Sequence, residues 1–183
     1  MRFNQHSELA GKHAFLSPSN YHWLNYDEQK LEARYYSASA ARRGTDLHNL
    51  AHEAIRLGVP LDESNEALAT YVNDAIFYRM LCEQPLYYSE NCFGTADTIK
   101  FENNLLRIHD LKNGITPTSP KQLEVYAGIF CLEYGADPFQ IDIELRIYQR
   151  NEIRVFEVIP EAILTIMDKI VAFDLQIQAI KES

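Results

Sequence analysis

The stretch FGTADTIKFENNLLRIHDLK, residues 93–112, limits the folds open to this chain more than any other, because it spells a hairpin with acids at fixed places. Phe93 to Phe101 and Leu105 to Lys112 are rich in β-forming residues. Asn103-Asn104 between them suits the positive φ angles of a two-residue type I′ turn. A turn of that length fixes the register. With Glu102 facing Leu105, every cross-strand pair sums to the same value, and Asp97 falls opposite Asp110. Counting outward makes theirs a non-hydrogen-bonded pair, with Cα atoms about 4.5 Å apart and both side chains on one face. Like charges so placed repel, and the pair calls for a compensating cation, a shared proton or abundant water.

The period-2 rule puts Lys112 on the face of Asp110, one side chain further along. Magnesium and manganese prefer carboxylate oxygen and keep several waters, and a lysine beside such a water holds or activates a nucleophile. Two acids and an ammonium in this arrangement are equipment for phosphodiester hydrolysis. A surface hairpin whose polar residues merely face solvent is the plainer alternative, and spacing alone leaves both open.

The chain has 183 residues, 46% hydrophobic and 23% charged, which suits one globular domain over residues 1–183, with 1–16 as a loosely held arm. No apolar run approaches about 18 residues, and MRFNQHSELAGK lacks the shape of a signal peptide, so a cytoplasmic protein without a membrane partner is expected. Cys82, Cys92 and Cys131 are widely spaced. They indicate neither a disulfide framework nor a zinc ribbon, and three cannot supply the four ligands of an iron–sulfur cluster. A net charge of −9 argues against broad non-specific nucleic-acid binding but leaves room for a groove with local positive charge.

Ser17-Pro18 reads as a cap and first position of a short helix through Tyr21, Trp23 and Leu24, with Trp23 in a core. Ser39 to Leu57 is the next predicted helix, stopped by Gly58-Val59-Pro60. His48 sits beside its stripe of Leu47, Leu50, Ala51, Ala54 and Ile55, where a half-buried histidine satisfied by hydrogen bonds is one reading. His52 shares the face of His48, and a zinc-binding pair is a further reading. Arg42 and Arg43 form either a solvated pair or a phosphate contact. Asp62 to about Gln84 reads as a third helix, with Leu68, Val72, Ile76 and Met80 along one side, ended by Pro85. Leu86 to Cys92 is the strand leading into the hairpin, carrying Glu90. Ser119 to Glu133 is helical and closed by Gly135. Its Ser119-Pro120-Lys121-Gln122 fits a capping box, so Gln122 has a purely local role open to it. Phe139 to Tyr148 and Ile153 to Val158 form a second hairpin around Asn151, and Pro160 opens a last amphipathic helix. The expected fold is therefore α/β, a mixed central sheet flanked by helices, with a helical N-terminal segment.

Taken in order, Gly44-Thr45-Asp46-Leu47-His48, Asp97, Asp110-Leu111-Lys112, and Gln122 with Tyr126 four residues on resemble the PD-(D/E)XK nuclease superfamily. The similarity is greatest to its RecB-like exonucleases carried by phages and prophages, and runs from about Ser17 to Gln149. The resemblance implies a restriction-endonuclease-like core and metal-dependent hydrolysis of DNA. Asp97, Asp110, Lys112 and Gln122 would be catalytic, and His48, Asp97, Asp110 and the Leu111 carbonyl would hold Mg²⁺ or Mn²⁺. Tyr126, Arg42, Arg43 and Lys121 would touch DNA. A recombination or single-strand-annealing protein is the implied partner class; homo-oligomerisation, and any part for Glu90, His52 or Glu53, stay open. A nuclease fold that has lost catalysis and serves as a regulator is the alternative.

Overall fold

The structure, a computed structural model, describes residues 15–16, 18–62, 67–114 and 118–182, without the side chains of residues 18–21 and 40–43. Residues 1–14 of the expected arm over 1–16, the Ser17 cap and the Arg42 and Arg43 side chains lie outside the described residues. The chain divides into two compact units, Met1–Thr45 and Asp46–Ser183.

In the first unit a 3-10 helix, Pro18–Asn25, precedes the start of helix α1, Glu28–Leu57. That helix starts well before the expected Ser39. Asp27 caps it, its Oδ1 accepting the Lys30 backbone N–H at 2.7 Å. The following EQKLEA has high helical propensity but no apolar period to betray it. Lys30 Nζ lies 5.0 Å over the Tyr26 ring, and Phe15 meets Tyr35 edge to face at 5.5 Å. Trp23 is half-buried rather than fully enclosed.

The second unit takes in the end of α1, which closes on Gly58 at φ 65°. The Gly58 N–H bonds the Ile55 carbonyl and the Val59 N–H the Ala54 carbonyl, a Schellman ending. Helix α2 is shorter than predicted, Ala67–Phe77 rather than Asp62 to Gln84. Arg79 adopts φ 53°, and the Met80 N–H closes on the Ala75 carbonyl. The same stop is thus built without glycine, at a steric cost of roughly 1–2 kcal/mol. Pro85 does not end a helix. It lies within strand β1, Leu81–Ser89, at the sheet edge, where a missing N–H is tolerated.

Strands β2, Cys92–Glu102, and β3, Leu105–Lys112, form the predicted hairpin. Helix α3, Lys121–Tyr134, then carries the chain over to β4, Asp142–Gln149, which lies parallel to β3; β5, Glu152–Glu157, returns antiparallel to β4. The five-stranded mixed sheet runs β1-β2-β3-β4-β5. Alternation along β3 and β4 sends Leu106, Ile108, Leu145 and Ile147 to one core, with Leu123, Ala127 and Ile163 of α3 and the closing helix α4, Pro160–Lys181. Leu111 and Tyr148 face the other core, with Ala51, Ala54, Tyr71 and Val72 of α1 and α2. The fold is an α/β one with its mixed sheet covered by helices. Among the described residues no helix is long and apolar enough to cross a membrane.

Helices α3 and α4 meet at Gly128, where an added Cβ would stand 3.0 Å from Ile166 Cγ2. Gly128→Val should overfill this contact and cost about 1–3 kcal/mol in urea unfolding. Wild-type stability in that variant would mean the helices are not held together there.

Candidate functional site

Asn103 and Asn104 take φ 52° and 60°, and the pairs run from Glu102↔Leu105 to Thr98↔His109. The register that the turn dictates is therefore the one adopted. Asp97 and Asp110 are next in it, and there the ladder stops. Their carboxyl groups lie close enough for one to hydrogen-bond the other when a proton is shared.

A backbone irregularity sits at the same point. Across β1 and β2, Cys82 pairs with Thr98 and Gln84 with Ala96, stepping over Glu83 and Asp97. Glu83 adopts φ 49°, far from strand geometry. Ala96 and Ile99 share one core although an odd spacing should send them to opposite faces. Leu81 and Leu86, five apart on β1, likewise line one groove. Both strands thus change face around Glu83 and Asp97, which takes Asp97 out of regular pairing.

Two side chains touch the acids directly, and a third holds one of these in place. His48 reaches in from α1, its Nδ1 3.3 Å from Asp97 Oδ2. Lys112 Nζ lies 3.0 Å from Asp110 Oδ1 and 2.9 Å from Oδ2, and donates to Gln122 Oε1 at 3.1 Å. Gln122 therefore holds the lysine. The α3 cap carries no side-chain bond, and Ser119 Oγ accepts from the Lys121 N–H, so Gln122 does not close a capping box. The Tyr126 hydroxyl donates to the Thr95 carbonyl at 2.6 Å, and its ring lies so near β2 that a Cβ on Gly94 would stand 2.9 Å from Cε1. That close approach requires glycine.

Electrostatics follow from crowding acids in a place nearly closed to water. The Asp110 side chain is only 3% exposed. Burial first, and the Asp97 charge second, push its carboxyl up to about 6. Burial pulls Asp97 the same way, but the His48 ring bonded to it and the Lys112 charge outweigh burial and hold it below its ordinary value. The bond to Asp97 in turn raises His48. One carboxyl is thus set to ionise readily while the other keeps a proton toward neutrality.

An oxygen-preferring cation fits this arrangement on one observation: Asp97 Oδ2 and Asp110 Oδ2 are both buried, each met only by an ion-pair contact, from His48 Nδ1 at 3.3 Å and Lys112 Nζ at 2.9 Å. Two buried acceptors so lightly engaged are what such an ion would satisfy. Among the described residues no three histidine, cysteine or acidic groups converge into a ready-made cage, so the carbonyl of Leu111, whose side chain is buried in the α1–α2 core, and solvent would have to complete the shell.

Lys121, and the residues whose part was left open, are not gathered here. Glu90 lies in the turn between β1 and β2. Lys121 bonds Glu124 at 2.6 Å on the exposed start of α3, and Glu53 pairs with Arg56. His52 turns to Glu83, at 3.0 Å, instead of joining His48 on an ion. Two features went unread in the sequence. Tyr71 of α2, fully buried, sets its hydroxyl beside Thr98. Behind β3, His109 stands 3.3 Å from Glu144 Oε1 and 3.2 Å from the Tyr148 hydroxyl, which bonds Asp74 at 2.6 Å, while Arg146 ties Asp74 to Glu144. The alternating polar positions of β4 were the available signal.

Between its ordinary value and about 6, Asp110 keeps in the folded state a proton that the unfolded chain has released, so metal-free stability falls as pH rises through that window. His48, raised, adds a loss of the same sign as pH passes its elevated value; Asp97, lowered, contributes only in stronger acid. Metal-free protein should therefore melt higher at pH 5.5 than at pH 7.5. Asp110→Asn should flatten this dependence in calorimetric scans; an unchanged slope would show that Asp110 is ionised throughout. His48→Ala should weaken Mn²⁺ binding with little change in the metal-free midpoint, whereas the reverse pattern would make His48 a packing residue.

No protein-family model matches the chain, and no curated protein matches it.

Proposed function

We propose that this chain is a metal-dependent deoxyribonuclease that hydrolyses phosphodiester bonds. One observation carries the reading: a pair of neighbouring carboxyls, each with a buried oxygen met only by an ion-pair contact, beside a lysine whose ammonium is held by a glutamine. The resemblance to RecB-like enzymes supports the finer reading, an exonuclease of phage or prophage recombination or DNA processing in the cytoplasm, working beside a recombination or single-strand-annealing protein.

Asp97 and Asp110 would hold Mg²⁺ or Mn²⁺, with His48 and the Leu111 carbonyl completing the protein's share. The bound ion would supply positive charge against the phosphate oxygens as the attacked phosphorus gains a fifth bond. Its binding requires Asp110 to give up the proton that burial helps it retain, so Mn²⁺ affinity should grow as pH rises through about 6. Lys112 has three N–H donors. Asp110 and Gln122 engage two of them and fix the direction of the third, which is left to hold the attacking water or a phosphate oxygen. Tyr126, tied to β2, would form a wall of the groove rather than a mobile contact. A scaffold that binds nucleic acid or protein without cutting is the second reading, and the want of a ready-made ligand cage among the described residues favours it.

The test is cleavage of end-labelled single- and double-stranded DNA with Mg²⁺, Mn²⁺ or EDTA. Lys112→Ala should cut at least about a hundredfold more slowly at saturating Mn²⁺ while still binding the ion, a loss in the range of acid–base contributions. Asp110→Asn should lose ion affinity and cleavage together. Equal rates for wild type and Lys112→Ala would remove the lysine from the chemistry. DNA bound but never cut by the wild type would favour the non-cutting scaffold.

A further inference from the structure

We infer that His52 and Glu83 form a strut that positions His48 against Asp97, acting through those two residues rather than on substrate. Glu83 occupies a left-handed conformation, φ 49°, inside a strand, where glycine would avoid the strain. Its place is across from Asp97, between the pairs Cys82↔Thr98 and Gln84↔Ala96. A residue held in so costly a conformation at the edge of a charged cluster points to a demand made by that cluster. The demand is visible one turn along α1 from His48: His52 Nδ1 meets Glu83 Oε1 at 3.0 Å.

His52 then bears on His48. The two rings lie 6.2 Å apart at 88°, edge to face, so rotation of His52 would remove the wall that His48 rests against. The His52 side chain is 14% exposed and its Nε2 is buried without a partner, which leaves Glu83 as the polar group that fixes the ring. Glu83 is itself 65% exposed. Exposed ion pairs add little to stability, so this one is worth more as a geometric constraint than as a source of folding energy. The strut runs from the irregularity beside Asp97 to α1 and back through His48 to Asp97, closing a loop around the point where both strands change face.

The inference rests on the reading of this cluster as a hydrolytic cation site, but its first measurement does not need that reading. In metal-free, isotope-labelled protein, nuclear Overhauser contacts between the His48 ring and the Asp97 β-protons report their juxtaposition. Wild type and Glu83→Gln, which keeps an acceptor for His52, should show them. Glu83→Gly suits the left-handed backbone but removes the acceptor, and should lose them while its thermal midpoint stays near that of wild type. His52→Phe keeps the ring and should lose them as well. Mn²⁺ affinity and cleavage should fall at least tenfold in Glu83→Gly and recover in Glu83→Gln. Contacts retained in folded Glu83→Gly or His52→Phe would overturn the strut, as would their loss in Glu83→Gln. The expected pattern of contacts in a wild type that neither binds Mn²⁺ nor cuts DNA would leave the strut standing and remove the nuclease.

Discussion

Two like charges forced together out of water govern this structure. At about 4 Å and an effective dielectric near 20, a carboxylate pair repels by about 4 kcal/mol. A domain has only about 5–15 kcal/mol of net stability, so an opposition of that size needs local compensation. The protein supplies several compensations at once: a proton kept on Asp110, an imidazole on Asp97, and an ammonium on Asp110 held by Gln122. Each comes from a different element. Helix α1 brings His48, β3 brings Lys112 and α3 brings Gln122, so the packing of both helical layers converges on the acids.

How far the sequence disclosed this depends on whether the governing signal was local. The hairpin was legible because turn chemistry fixes register, and Asn103-Asn104 did take two positive φ angles. The order of strands and helices after Leu86 was legible from period and from Gly and Pro. Helix α2 was misread because its ending is built on Arg79, a residue that carries no stop signal, and because Pro85 belongs to an edge strand. The early start of α1 was missed because residues 28–38 form helix by propensity and an Asp27 cap, not by an apolar stripe. Within the site, the nearness of the two acids followed from counting, though the paired ladder ends one step short of them at Thr98↔His109. The hold of Gln122 on Lys112 did not, since a capping box explained the same residues locally until α3 was seen to begin without one.

The acidic composition and the lysine at the centre are compatible because charge acts over short distances here. The Debye length is about 8 Å at physiological ionic strength, so acids scattered on the surface are largely screened from the groove. Lys112 beside a nearly closed-off Asp110 is screened far less. Net charge therefore bears on how firmly the whole molecule sits on a polyanion, and says little about what its buried pair can do.

The two acids are held in unlike ways, and that difference suits a site that must change its contents. Asp110 lies on the central strand β3, one step beyond the end of the β2–β3 ladder and in parallel register with Ile147 of β4. Behind that strand, His109, Glu144, Arg146, Asp74 and Tyr148 form a polar network that fixes its far face. Asp97 stands where β1 and β2 step out of regular pairing, opposite a strained residue. One carboxyl is set by the pairing of its strand with β4, and the other by the His48 ring against it. Two acids on equally rigid strands would keep their repulsion whatever lay between them. An anchored acid beside an adjustable one can close on a shared proton or on a cation and draw apart when both are ionised, which lets one fold tolerate these states.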